Sequence, residues 1–395
     1  MTFLKSLANF QYKHAGWMLI LTLLLTLVLA LGFKNVAMES DMSKMNPQDL
    51  EVYKLADKIT DTFGGQDATF ILVRLEEGDK EGVYDIRDPK ILAFLTDLQR
   101  RLEKNDMVER VTSAGMIFTE STLPKTLDQS KFILSNIPAS SSFFNKDYSA
   151  SLVIISSDLG GGEKKILSLD KEIKDILASV SKPEGVNVYV TGTPQIRTMI
   201  LDLLLKDATY TLTLAAIIIF IMLIILQKSL TKAFLIFSPL IFGLAWTLGI
   251  MGLLGIKLSV ATVGIGAMIL GLGIEYGVFI VSRYNEERKN KSSLESLETT
   301  VKEVGTSVFG SGTTTVVGFL ALGLASMPML RDLGFALSLG ISAAFVAAIF
   351  VNPSIIILEE RFEHWYTEKA HVKLTQKKES HKRRKKLDEK IKSYK

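Results

Sequence analysis

The 395-residue sequence contains no cysteine. That absence removes disulfide frameworks, thiolate metal sites and cysteine nucleophiles, and says nothing of the redox compartment. Histidine is nearly as scarce: His14, His364, His371 and His381 stand apart from any carboxylate cluster at metal-ligand spacing, so no metal site is expected. No G-x-x-x-x-G-K-[ST] run occurs, so no P-loop and no direct ATP hydrolysis are expected. Glycines 264, 266, 271 and 273 imitate part of a dinucleotide fingerprint, but they sit in a long apolar run where small residues serve helix packing. No cofactor is expected. Gly160, Gly161 and Gly162, before Glu163, read as a turn into a helix.

Charge is missing from long stretches. Hydrophobic types make up 48% of the chain beside 22% charged residues, and the two classes are segregated, which excludes a purely soluble enzyme. Runs uncharged but for Glu275 cover 15–33, 208–227, 233–256, 258–282, 304–330 and 333–358, each long enough to cross ~30 Å of hydrocarbon as a helix. Six spans are expected. The first is too long for a signal core and lacks a small-residue cleavage site, so it reads as a retained helix.

The net charge of +4 is uneven, because residues 361–395 hold 13 Lys/Arg against 5 Asp/Glu. The run Lys382, Arg383, Arg384, Lys385, Lys386 reads as a cytoplasmic anchor beside a membrane, not as a nucleic-acid site. Lys5 and Lys13, Lys228 and Lys232, and the group Arg283, Arg288, Lys289, Lys291 and Lys302 place both termini in the cytoplasm of a cell membrane by the positive-inside rule. Four regions follow: residues 1–33 as cytoplasmic N-terminus and first span, 34–206 outside, 207–358 as spans two to six, and 359–395 as a basic cytoplasmic tail.

The outer region carries 22 basic and 27 acidic residues, the texture of a globular domain. Alternating or apolar runs at 69–75, 107–113, 151–157 and 186–191 predict strands, and 88–104 and 163–180 predict helices. The order β-α-β-β-α-β is that of the ferredoxin-like α+β unit, an antiparallel sheet with two helices on one face. Residues 114–148 interrupt it with extra helix or hairpin. Phe132, Ile133, Phe143 and Phe144 there are candidates for an exposed lip or for ordinary packing. Between spans four and five, Leu294, Leu297, Val301 and Val304 predict an amphipathic helix on the cytoplasmic surface.

Glu275 is the only charged side chain within a span. A charged carboxylate near mid-span costs about 2.5–3.5 kcal/mol even on insertion scales, so it needs a partner, a proton or water. No basic residue lies in a span to neutralise it, which favours reversible protonation; the alternative is a permanently neutral Glu275 bonded to a carbonyl or hydroxyl. Tyr276 adjoins it, Gly273 and Gly277 admit a neighbouring helix, and Ser307, Ser311, Thr313, Thr314 and Thr315 supply hydroxyls. Those hydroxyls can conduct a proton or bond their own backbone four residues back.

The run GLGIEYGVFIVSRYNEER at 271–288 and the run TTTVVGFLALGLASMPMLRDLGFALSLGI at 313–341, with one span, an outer domain and five more spans, resemble the resistance-nodulation-division superfamily, in its MMPL-like, hydrophobe-exporter branch. The fourth-span motif maps onto Glu275, Tyr276, Phe279, Arg283, Glu286 and Glu287, with Glu275 where the family usually has Asp. The resemblance implies a secondary transporter, not an enzyme, that exports a hydrophobic or amphipathic, lipid-like substrate on the proton gradient. Proton-relay roles would fall to Glu275, Tyr276, Thr313 and Thr314, with Gly273 and Gly277 packing helices. Members typically contain two such halves and this chain contains one, which implies a homodimer, or a trimer of such units. Expected partners are membrane lipids, the substrate and protons. Two alternatives stand beside it: a translocation helper resembling SecD and SecF, and a lipid sensor or scaffold without transport. A reciprocal Glu275–Tyr276 pair between two copies is the expected interface.

Overall fold

Caps and turn residues divide the chain into the elements of the computed structural model, which describes residues 2–63, 67–76, 85–157, 159 and 162–367. Helix α1 (Thr2–Lys13) leads into α2 (Ala15–Ala30), which tightens into a 3-10 turn over Leu31–Asn35. Then follow α3 (Glu51–Phe63), β1 (Asp67–Leu75), α4 (Pro89–Leu102), β2 (Arg110–Thr112), α5 (Leu127–Ser135), β3 (Ala150–Ser157), α6 (Glu163–Ser179) and β4 (Val186–Gly192). The remainder is helical: α7 (Thr193–Gln227), α8 (Leu230–Leu254), α9 (Ile265–Glu287), α10 (Ser293–Leu322), α11 (Pro328–Phe350) and a last segment over 352–367. The basic run at 382–386, and Gly160 and Gly161 of the expected turn, lie outside the described residues.

The chain forms two compact units, Met38–Lys206 and the union of Met1–Ala37 with Asp207–Lys395. In the first, the strands pair antiparallel in the order β2-β3-β1-β4. Alternation along the strands sends Ile71, Val73, Val153 and Ile155 to one face, where they meet Leu92, Leu95, Leu98, Ile166, Leu169 and Ile173 of α4 and α6. Helix α4 starts where Asp88 accepts from the Lys90 backbone and Pro89 fixes the first helical turn. Segment 114–148 folds as 3-10 turns and α5; of the four lip candidates only Phe132 is exposed, while Phe143 is buried and Ile133 and Phe144 pack against the core.

Among the described residues, six helices are long and apolar enough to cross a membrane: Ala15–Asn35, Thr193–Gln227, Leu230–Leu254, Ile265–Glu287, Ser293–Leu322 and Pro328–Thr367. Glycines set their spacing. A Cβ on Gly32 would come within 2.0 Å of the Gly249 carbonyl oxygen, one on Gly252 within 1.9 Å of the Gly32 oxygen, and one on Gly243 within 2.7 Å of the Ala344 Cα. Backbones can come this close only where no side chain intervenes.

Three boundaries differ from expectation. The fourth span starts at Ile265, not 258, because Gly255 ends α8 in the left-handed region and Ser259 and Thr262 bond each other's turn first. The amphipathic stretch after it is no separate surface helix. A capping box between Ser292 and Glu295 starts α10, which runs unbroken to Leu322. Its apolar face is covered by α1, with Leu4 against Gly305 and Asn9 on Glu298, so Leu297 and Val301 are buried. Helix α11 breaks at Val351 and resumes over 352–367.

Candidate functional site

Helix α8 carries Pro239, which cannot donate to the Leu235 carbonyl; the Ser238 hydroxyl donates to that oxygen instead, at 3.1 Å. The same stretch receives α9. A Cβ on Gly277 would lie 2.5 Å from the Ile236 carbonyl oxygen, and one on Gly273 would lie 2.8 Å from a Leu240 methyl and 3.1 Å from the Ala344 Cβ. Gly273 and Gly277 therefore press α9 onto α8 and α11 of their own chain.

This packing fixes which way the next residues point. Tyr276 is 1% exposed, its ring edge-on to Phe345 of α11 at 6.4 Å, and Phe345 in turn meets Phe309 of α10 edge-on at 6.2 Å. The Tyr276 phenol lies near the Thr315 side chain and beside the Glu275 carboxylate. Tyr276 thus faces the core of its own chain. One residue is a 100° rotation on a helix, and it turns Glu275 outward.

Glu275 is exposed, in line with exposed Met268, Leu272 and Phe279 along the outer stripe of α9. It stands ten residues into the helix, about 15 Å along it and near mid-span. On α10, Thr313 and Thr314 are exposed too, among Phe309, Val317 and Leu320. Thr314 and Thr315 both donate to the Ser311 carbonyl, at 2.8 and 2.9 Å, so these hydroxyls spend their protons on their own helix and offer only lone pairs outward. Of the hydroxyls named from sequence, Thr315 is the one near the Tyr276 phenol.

The rest of the motif locks one end of the helices together. Arg283 reaches Glu287 at 2.6 Å and Glu303 of α10 at 2.6 Å, and Lys291 holds Glu287 at 2.5 Å. Arg288 donates twice to Glu360 beyond the α11 break, at 2.7 and 2.9 Å, and Glu360 also accepts from Tyr284 and Ser293. Tyr284, Ser293, Glu303 and Glu360 were not singled out from sequence. The i,i+4 spacing of Arg283 and Glu287 was readable, but partners 20 and 72 residues away were not.

A profile of the MMPL family matches residues 44–386. The chain belongs to the MMPL family. It is 36% identical over 365 residues to the membrane protein MJ1562 of Methanocaldococcus jannaschii, covering 91% of this chain and 94% of that one. It is 23% identical over 348 residues to the transport protein MmpL4 of Mycobacterium leprae, covering 84% of this chain and 32% of that protein. To the siderophore exporter MmpL5 of Mycobacterium tuberculosis it is 28% identical over 206 residues, 48% of this chain and 20% of that one. The chain therefore spans nearly all of one relative and between a fifth and a third of these two transporters.

In the other unit, Arg197 in the first turns of α7 is buried against Glu163 at the start of α6, at 3.1 Å, and Asp41, at 3.5 Å, while Ser40 donates to Glu163. Burial pushes the Glu163 carboxyl up, but the Ser40 backbone and hydroxyl donors and the Arg197 guanidinium outweigh it and hold it below its ordinary value. Beside α4 a groove of about 860 Å³ sets Met116, Phe118 and Leu123 next to Arg100 and Arg110, and a second of about 670 Å³ continues from Ser121 and Leu123 to exposed Phe132.

Proposed function

We propose that this protein is a proton-driven secondary transporter exporting a hydrophobic or amphipathic, lipid-like molecule, and that it works as a homo-oligomer, a dimer in the simplest case. The observation that carries the reading is Glu275: a carboxylate at mid-span, turned out of its own helix bundle along an apolar stripe. Left against hydrocarbon it would cost about 2.5–3.5 kcal/mol, so a second copy that covers the stripe, or a protein-lined water path, removes the penalty. Glu275 loads and releases the proton, Tyr276 and Thr315 tie its state to the α9–α10–α11 core, and Thr313 and Thr314 line the same outer face. A potential of 100 mV supplies about 2.3 kcal/mol per charge moved, before any pH gradient.

The termini lie in the cytoplasm and the sheet-bearing unit lies outside, where it is a ferredoxin-like porter domain whose two-part groove receives the substrate. Apolar side chains beside arginines suit an amphiphile. The siderophore exporter among the relatives supports the same direction of transport.

The test is Glu275→Gln in proteoliposomes of purified protein with an internal pH dye and added lipid extract. The amide keeps the volume and polarity but cannot cycle a proton, so substrate-dependent proton flux should fall to the protein-free rate while insertion is unchanged. Flux near the wild-type rate would refute the assignment, and no flux in the wild type with any lipid fraction would favour a sensor or scaffold.

A further inference from the structure

The end of α11 holds an unusual set of buried polar groups. Gln11, Ser296, Thr300, Asn352 and Ser354 are each 0% exposed. The Gln11 Oε1, the three hydroxyl oxygens and both amide atoms of Asn352 have no hydrogen-bond partner among the described residues. Most buried polar atoms are paired, and five such side chains on three elements are not a random lapse of packing.

Gln11, Asn352 and Ser354 lie at the helix break. Pro353 has no N–H to give the Ile349 carbonyl, and the Gln11 Nε2 donates there at 2.9 Å and to the Phe350 carbonyl at 3.2 Å. Ser293, Ser296 and Thr300 share one face of α10, three and seven residues apart, and Ser293 is fixed to Glu360. Helices α10 and α11 run antiparallel, with Val316 level with Ser338, Gly312 with Phe345 and Ser293 with Glu360. Two turns in from the Ser293–Glu360 pair, that register brings Thr300 level with Ser354 at the break.

We infer that the oxygens of Gln11, Thr300, Asn352 and Ser354 around the α11 break form a binding site for a small monovalent cation of the sodium class. The chemistry fits in one respect: the available ligands are neutral amide and hydroxyl oxygens, which suit a hard ion of low charge. The site stands apart from Glu275 on α9, so it does not depend on the proton assignment; it would fix helix 352–367, and with it Glu360 and Arg288.

The test is thermal unfolding of the full purified chain in detergent, in sodium chloride against choline chloride at equal ionic strength. Sodium about tenfold above its dissociation constant should raise the midpoint by roughly 2 °C. Thr300→Val and Ser354→Ala keep the volume nearly constant and should unfold near the wild-type temperature in choline while losing the sodium increment. Glu275→Gln should retain it. Equal midpoints in the two salts for the wild type, or an increment that survives in both Thr300→Val and Ser354→Ala, would overturn the site and leave these groups solvated by water alone.

Discussion

The membrane unit and the sheet-bearing unit reach close packing by opposite means. Where water surrounds the fold, burying large aliphatic side chains is favourable, and the core beneath the sheet is built from Ile71, Val73, Leu92, Leu95 and Ile155. Between helices in lipid there is no such gain, since hydrocarbon is as apolar as leucine, and contact comes from removing side chains: Gly32 on Gly249, Gly243 on Ala344, Gly277 on Ile236. The damaging kind of substitution should therefore differ: truncation in the sheet-bearing unit, addition at the helix contacts of the membrane unit.

The largest effect tests this directly. Leu95→Ala removes a fully buried side chain from α4 and should cost about 2–5 kcal/mol through lost transfer energy plus a residual cavity. In the membrane unit the damaging change is addition. Gly277→Val places atoms on the Ile236 backbone, which cannot rotate away, and should cost about 3 kcal/mol, the upper end of overpacking. Leu272→Ala, on the exposed stripe of α9, should change the stability of the single chain by less than about 0.5 kcal/mol. Unfolding followed by hydrogen exchange on each unit separates the three. Equal sensitivity to Leu95→Ala and Leu272→Ala would erase the distinction.

A smaller effect is a pH sensitivity at the start of α6. Glu163 is held below its ordinary value in the folded state, so its contribution is complete above the unfolded pKa of 4.5 and is lost as pH falls through the folded value. Protection of α6 against exchange should drop below about pH 4.5, and Glu163→Gln should flatten that drop while lowering protection at neutral pH. A wild-type profile flat to lower pH would show that the Ser40 and Arg197 contacts are not what orders the start of α6.

The contrast also explains how much could be read from sequence. Strands announced themselves by alternation at 69–75 and 151–157, and β1 and β3 lie there. Spans announced themselves by missing charge. Glu275 stood out because no other charge shares its setting. What stayed hidden was where faces point and what lies far off in the chain. Tyr276 and Glu275 are neighbours, yet one is buried and the other exposed, and only the contacts of Gly273 and Gly277 decide which. Helix α1 was invisible as a partner because nothing in residues 2–13 says that Gln11 caps carbonyls 338 residues away. Helix α3 over Glu51–Phe63 lacks the apolar run that would have marked it.

The smallest effect asks whether a hydrogen bond counts for the same in both units. Ser113 in the sheet-bearing unit donates to Gln99 Oε1 at 2.6 Å and accepts from the Gly115 N–H at 3.0 Å, all of it buried. Ser113→Ala strands a buried acceptor and a buried donor, which should cost about 1–3 kcal/mol. The membrane counterpart is Thr26, whose hydroxyl accepts from the Trp246 indole at 2.8 Å while donating to the Thr22 carbonyl at 2.8 Å. Here the Thr22 carbonyl is already within a helix, and the unfolded chain in a membrane also finds partners for its polar groups. Thr26→Val, which keeps the shape, should therefore cost only about 0.6 kcal/mol, the average for such bonds in membrane bundles. The indole nitrogen reports the change itself, since Trp246 fluorescence should shift when its acceptor is lost even though stability hardly moves. If Thr26→Val cost as much as Ser113→Ala, directed polar contacts would hold the membrane unit together as strongly as they do the sheet-bearing one, and close glycine packing would no longer be sufficient to explain how its helices associate.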